Sequence, residues 1–102
     1  MIKEIDGNVY DTNNAQRLAK YESGKIGNWY WIFKALYQKS NGMFFTYETG
    51  GCGTEYHVWN GQKFIGGIYK IYPTTDEQAR IFLEQNNPAL ALKLFGTYYE
   101  KK

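Results

Sequence analysis

Trp29-Tyr30-Trp31-Ile32-Phe33-Lys34-Ala35-Leu36-Tyr37 is followed, after a short break, by Met43-Phe44-Phe45-Thr46-Tyr47-Glu48. Both runs are rich in residues that favour a pleated, half-buried surface, and neither contains Gly or Pro, so both read as strands. Ser40-Asn41-Gly42 between them is turn chemistry. The two runs therefore form an antiparallel hairpin at the centre of a sheet. With an even-numbered loop, even positions of one strand pair with odd positions of the other. One face then carries Ile32, Lys34, Leu36, Met43, Phe45 and Tyr47. The opposite face carries Trp29, Trp31, Phe33, Ala35, Tyr37, Phe44, Thr46 and Glu48. If helices cover the first face, the second presents a Trp and Tyr stripe flanked by Lys39 and Glu48, a composition enriched at interfaces. The alternative is a second cover over that stripe, from the N-terminal segment or the C-terminal helix.

Working outward, Ile2 to Ile5 and Asn8 to Tyr10 flank Asp6-Gly7 and predict a short hairpin. Asp11 and Thr12 offer N-cap oxygens, Ala15, Leu18 and Ala19 mark one face, and Gly24 suits a C-terminal stop, which predicts a helix of about three turns. Gly50-Gly51-Cys52-Gly53 breaks the sheet. Glu55 to Trp59 predicts another short strand, Asn60-Gly61 a turn, and Ile68 to Tyr72 a last strand ended by Pro73. Thr75-Asp76-Glu77-Gln78 matches a capping box before the apolar stripe Ala79, Phe82 and Leu83. Asn87-Pro88 predicts an N-cap and first turn of a further helix through Leu90, Ala91, Leu94 and Phe95, stopped by Gly96, with Tyr98 to Lys102 as a tail. The fold class is α+β: an antiparallel, aromatic-rich sheet of about four to six strands with two or three helices packed on it. Residues 1–102 make one domain, with 87–102 as a C-terminal helical extension and tail.

Aromatics make up 19% of the 102 residues, roughly twice an ordinary share. The formal charge of +2 is spread evenly, since residues 1–51 and 52–102 each hold six Lys or Arg against five Asp or Glu. No basic arm or acidic tail exists. One cysteine, Cys52, excludes an internal disulfide, and with one histidine, His57, it leaves too few ligands for a Cys/His zinc site. Charges interrupt the first seven residues, and no apolar stretch approaches the ~20 residues of a membrane span. A cytoplasmic location without membrane contact is the expectation.

Cys52 in a glycine-rich turn, five residues before His57, invites a thiol-nucleophile reading, but no orienting residue follows from the pattern. Gly50, Gly51 and Gly53 lack the Lys-Ser or Lys-Thr pair of a phosphate loop. Glu48 and Glu55 bracket the same loop without a sign that they converge. No catalytic, cofactor or metal site is therefore expected. Aromatics interleaved with Lys34, Lys39, Lys63 and Lys70 are the ingredients of single-strand nucleic-acid binding, without a helix-turn-helix or ribonucleoprotein signature. An exposed aromatic surface would serve a homodimer equally well.

Ile5-Asp6-Gly7-Asn8-Val9-Tyr10-Asp11-Thr12, Leu36-Tyr37, Gly42 with Phe44-Phe45, Gly50-Gly51, Tyr56, Gly66-Gly67, and Glu77, Ala79 and Leu83-Glu84 stand in an order that resembles a group of small phage and mobile-element proteins of Gram-positive bacteria. The resemblance covers roughly residues 3 to 86, and the segment from Asn87 onward departs from it. These are turn and core positions, so they speak first to fold. Proteins of this size and source include anti-CRISPR inhibitors. The resemblance thus implies a non-catalytic inhibitor that binds a type II CRISPR effector nuclease or its guide-RNA complex, directly or by blocking guide loading. The contact candidates are Trp29, Trp31, Tyr37, Phe44 and Trp59, with Lys34 and Lys39 or the carboxylates Glu48 and Glu55 setting charge complementarity. A net positive charge argues against mimicry of DNA.

Overall fold

The computed structural model describes residues 1–96; the tail Tyr98 to Lys102 lies outside the described residues. β1 (Ile2–Ile5) and β2 (Asn8–Asp11) form the expected hairpin, with Ile5 opposite Asn8 and Asp6 in the left-handed region at φ 53°. That is the geometry of a two-residue primed turn.

The helix expected after it is absent. Asp11 accepts bonds from the Asn13 amide (2.9 Å) and from Asn14 Nδ2 (3.0 Å), closing a single 3-10 turn over Thr12–Asn14. The chain then extends as β3 (Gln16–Ser23), paired with β4 (Ile32–Gln38) from Gln16↔Gln38 to Ser23↔Ile32. Leu18 and Ala19, which suggested a helical stripe, are neighbours that a regular strand would send to opposite faces. A β-bulge between Arg17 and Ala19 lets both enter one core. Tertiary pairing thus overrides a segment whose Gln, Arg, Leu, Ala and Lys favour a helix locally.

β5 (Phe44–Gly50) returns antiparallel to β4, followed by the small hairpin β6 (Val58–Trp59) and β7 (Phe64–Ile65), and then β8 (Lys70–Thr74). The main sheet has the order β3-β4-β5-β8, antiparallel throughout. β4 starts at Ile32 rather than Trp29, because a turn in which the Asn28 carbonyl accepts the Trp31 amide (3.3 Å) holds 28–31 out of the regular ladder. Glu55 is likewise outside the strand that Val58 opens. Pro73 lies inside β8 opposite Phe45, as an edge strand permits.

The face assignment is corrected by the β4–β5 turn. Lys39 and Met43 pair through a 2.8 Å bond, leaving three residues between them, with Gly42 at φ 92°. An odd loop of this kind opposes even positions to even: Lys34↔Glu48, Leu36↔Thr46, Gln38↔Phe44. Ile32, Lys34, Leu36, Phe44, Thr46 and Glu48 therefore share one face, and Phe33, Ala35, Tyr37, Phe45 and Tyr47 the other.

The first face is covered by α1 (Asp76–Asn86) and α2 (Pro88–Phe95), which start as the sequence predicts. Thr75 and Gln78 form the reciprocal capping box, and Asn87 caps α2 with Pro88 in its first turn. Leu18, Ala19, Leu36, Phe44, Ala79, Leu83 and Ala91 form the core beneath them, sealed by Phe82, Leu90 and Phe95. The second face has a core at one end only. There Tyr10 from the N-terminal hairpin closes over Phe45 and Ile71, with Ile5, Ala15, Tyr37, Met43 and Tyr69 around them. At the other end this face is uncovered among the described residues, and the molecule extends to 53 × 32 × 19 Å with a radius of gyration of 15.3 Å, against ~13 Å for a compact chain of this length. No described helix is long and apolar enough to cross a membrane.

Candidate partner-binding surface

The uncovered end is made of three segments that continue the sheet in irregular form. The Gly51 and Gly53 amides donate to the Trp31 and Trp29 carbonyls (2.8 and 2.7 Å), so 29–31 stays zipped to 51–53 beyond the end of β4. On the other side the Gly67 amide donates to the Gly50 carbonyl (2.7 Å). The three strands of backbone approach so closely that a Cβ on Gly51 would run into the Asn28 carbonyl oxygen, and one on Gly66 would stand 2.6 Å from the Cys52 amide nitrogen. The glycines that read as a sheet break are thus a splice between backbones.

A buried carboxylate anchors this splice to the sheet. Glu48, 8% exposed, accepts a 2.6 Å bond from the Tyr56 hydroxyl and another from the Tyr72 hydroxyl. Tyr56 is 2% exposed and belongs to the loop, while Tyr72 stands on β8. Burial, and then the bond to the Glu48 carboxylate, hold both phenols well above the ordinary tyrosine range, so both stay protonated donors. Lys70 packs over the Tyr56 ring at 5.3 Å and pairs with Glu55 at 3.2 Å. Thr54 Oγ1 donates to the Gly51 carbonyl (2.7 Å) and accepts from the Tyr56 amide (3.2 Å), fixing the turn between.

On this frame the apolar side chains point outward. Trp29 is 56% exposed, Trp59 55% and Ile26 78%, and Tyr30, Val58, Phe64, Ile65 and Ile68 are exposed with them. In the β6–β7 hairpin, Trp59 meets Phe64 edge-on, while Val58 and Ile65 are also exposed. A hairpin of two-residue strands with its apolar groups exposed has no core of its own to serve. Behind it a ladder of half-buried rings, Trp31 on Phe33, Phe33 on Tyr47 and Tyr47 on Tyr69, leads back along the sheet. Trp31 is oriented by its Nε1 bond to Glu22 (2.7 Å).

Two clefts open here. One, of about 460 Å³, is lined by Ile26, Asn28, Trp31, Tyr47, Thr49 and Cys52 over a floor of glycines. The other, of about 550 Å³, lies among Trp29, Trp59, Phe64, Ile65, Lys63 and Cys52. Cys52 lines both, and its thiol points to the Phe64 carbonyl (3.7 Å). His57 Nδ1 is engaged by the Thr54 carbonyl and its ring stands on Phe64. The pair suggested by sequence spacing therefore has each member bonded elsewhere. Among the described residues no group of three His, Cys, Asp or Glu side chains gathers as a metal site.

Of the contact candidates, Trp29, Trp31, Trp59 and Glu55 come together at this end. The rest do not. Phe44 is buried against Phe95 in the helical core, and Glu48 is buried as the tyrosine anchor, so neither is presented to a partner. Tyr37 stacks on Phe45 at the opposite end of the sheet, and Lys39 lies over the Tyr10 ring (4.9 Å) beside it. Lys34 lines a separate cleft on the helical face with Tyr21 and Phe82. Ile26, Tyr30, Phe64, Ile65 and Ile68 were missed. Asn60-Gly61 after Val58-Trp59 was a readable hairpin signal for two of them, Phe64 and Ile65. No protein-family model, curated protein or solved structure matches the chain.

Proposed function

We propose that this protein is a non-catalytic binder that docks its uncovered aromatic end onto a protein partner. The observation that carries the reading is the contiguous group of exposed Trp, Tyr, Phe and Ile side chains on a loop frame held by glycine splices and the Glu48 anchor. A monomeric domain rarely leaves such a patch without a use, and rigid aromatic anchors ringed by aliphatics are the usual centre of a protein interface. The resemblance to small phage proteins makes a type II CRISPR effector nuclease the partner to test first, inhibited by direct binding or by a block on guide loading. In a cleavage assay with guide-loaded nuclease, added protein should suppress cutting, and a Trp29→Ala, Trp59→Ala double variant of unchanged stability should not. Equal inhibition by the variant, or none by the parent across several such nucleases, would remove this reading.

A second reading, single-stranded nucleic-acid binding, is favoured by the cleft in which Lys63 stands among Trp29, Trp59 and Phe64, the combination that stacks bases beside a phosphate. Against it stand the exposed Ile26, Val58, Ile65 and Ile68, which offer a base or phosphate little. Oligonucleotide binding that weakens steeply with added salt would promote this second reading.

A further inference from the structure

The four-stranded sheet has two edges, β3 and β8. β8 carries Pro73, a residue that discourages pairing along an edge. The first half of β3 is closed as well, by the bulge at Leu18 and by Asn87, whose Nδ2 donates to the Leu18 carbonyl (2.9 Å). The second half, Ala19 to Ser23, pairs with β4 on one side and, among the described residues, makes no backbone bond on the other. Lys20 and Glu22, both exposed, take part in no ion pair among the described residues either.

We propose that this edge pairs with a second copy of the same chain, antiparallel and centred on Tyr21. Two copies of one strand that pair antiparallel are related by a two-fold axis perpendicular to the sheet. Residues directly opposite must share a face, so one residue has to stand opposite its own copy. Centring on Lys20 sets lysine against lysine, and centring on Glu22 sets glutamate against glutamate; like charges so placed destabilise a sheet. Centring on Tyr21 sets Lys20 opposite Glu22 of the other copy twice, once on each side of the axis, with Ala19 opposite Ser23. The charge order Lys-Tyr-Glu is therefore self-complementary in one register and self-repelling in the two beside it. Glu22 uses Oε2 to hold Trp31, which leaves Oε1 for the incoming lysine.

The two faces agree with this arrangement. Lys20 and Glu22 stand opposite Ala35 and Phe33, on the aromatic face, so both ion pairs form on that side. Tyr21 stands opposite Lys34 on the helical face and lines a cleft of about 440 Å³ with Phe82, Gln85 and Asn86, so the two clefts would meet across the axis. Five paired residues per copy make a small interface, and the dimer is accordingly weak and concentration-dependent.

The test is sedimentation equilibrium of the full chain and of the charge variants K20E and E22K. Each variant alone should dissociate about tenfold more readily than the parent, because two attractive pairs become two repulsive ones. An equimolar mixture of K20E and E22K should associate again, since each chain then supplies what the other lost. In a Cys52→Ala background, Tyr21→Cys should cross-link to a covalent dimer under mild oxidation, because opposite residues lie about 4.5–5.5 Å apart, within disulfide reach. A parent chain that stays monomeric at its highest soluble concentration would overturn the proposal. So would a mixture that fails to associate, or a dimer lost on Trp59→Ala and kept on K20E, which would place self-association at the aromatic end.

Discussion

Glu48 makes its contribution by being charged and buried in company. Its two oxygens accept from Tyr56 and Tyr72, one from the distal loop and one from β8, so a single side chain ties the irregular end to the sheet. Bonds to a charged acceptor contribute about 1.5–3 kcal/mol each, and removing the acceptor leaves the Tyr56 hydroxyl buried without a partner. Glu48→Ala is expected to cost about 2–4 kcal/mol in chemical denaturation, and Glu48→Gln, which keeps an acceptor but not the charge, about half of that. The same pair sets a pH dependence. Both phenols sit above their unfolded value of about 10, so above that pH the unfolded chain has released protons that the native state still holds. Unfolding then releases protons, and stability falls as pH rises. The contribution is complete below about pH 10 and is lost as pH climbs through the native values. Thermal melting followed from neutral to strongly alkaline pH should show the midpoint dropping beyond about pH 10, and a Tyr56→Phe variant should show a shallower drop.

Elements whose cues are local were legible in the chain. The capping box at Thr75, the Asn87-Pro88 start and the Asp6-Gly7 turn name their structures because the bonds that define them lie within three residues. β3 was not legible, since its strand character comes from β4, and Leu18 and Ala19 look the same to the eye in a helix or at a bulge. The sheet faces turned on one residue in the loop count. Lys39 and Met43 close an odd loop of three residues, and an even loop flips every side chain of β5 relative to β4. That one residue moved Phe44 from a surface candidate to the core. Phe44→Ala should therefore destabilise by about 3–5 kcal/mol, as a ring lost from a filled core does. Trp59→Ala, on the exposed hairpin, should change stability by no more than about 0.5 kcal/mol. Paired denaturation curves check both, and a large loss at Trp59 would return that indole to a structural role.

At the scale of the whole molecule, one sheet serves two partial cores and an end that has neither. Helices fill one face, the N-terminal hairpin fills half of the other, and all three tryptophans lie in the remaining end. Trp fluorescence therefore reports the distal end, while far-UV circular dichroism reports the helices and the sheet. The end is spliced to β4, β5 and the approach to β8 by backbone bonds, and Tyr56 is inserted beside the core strands, so opening it exposes the ladder it continues. Segments linked in this way unfold as a unit, whereas an appendage joined only by exposed contacts opens first. The two signals should accordingly fall together in urea for the parent chain. Glu48→Gln weakens the buried side-chain tie across the splice, and in that variant the fluorescence transition should move to lower urea than the dichroism transition. A split already present in the parent would mean that the aromatic end orders independently, and its exposed rings would then bind as a flexible segment rather than as a preformed surface.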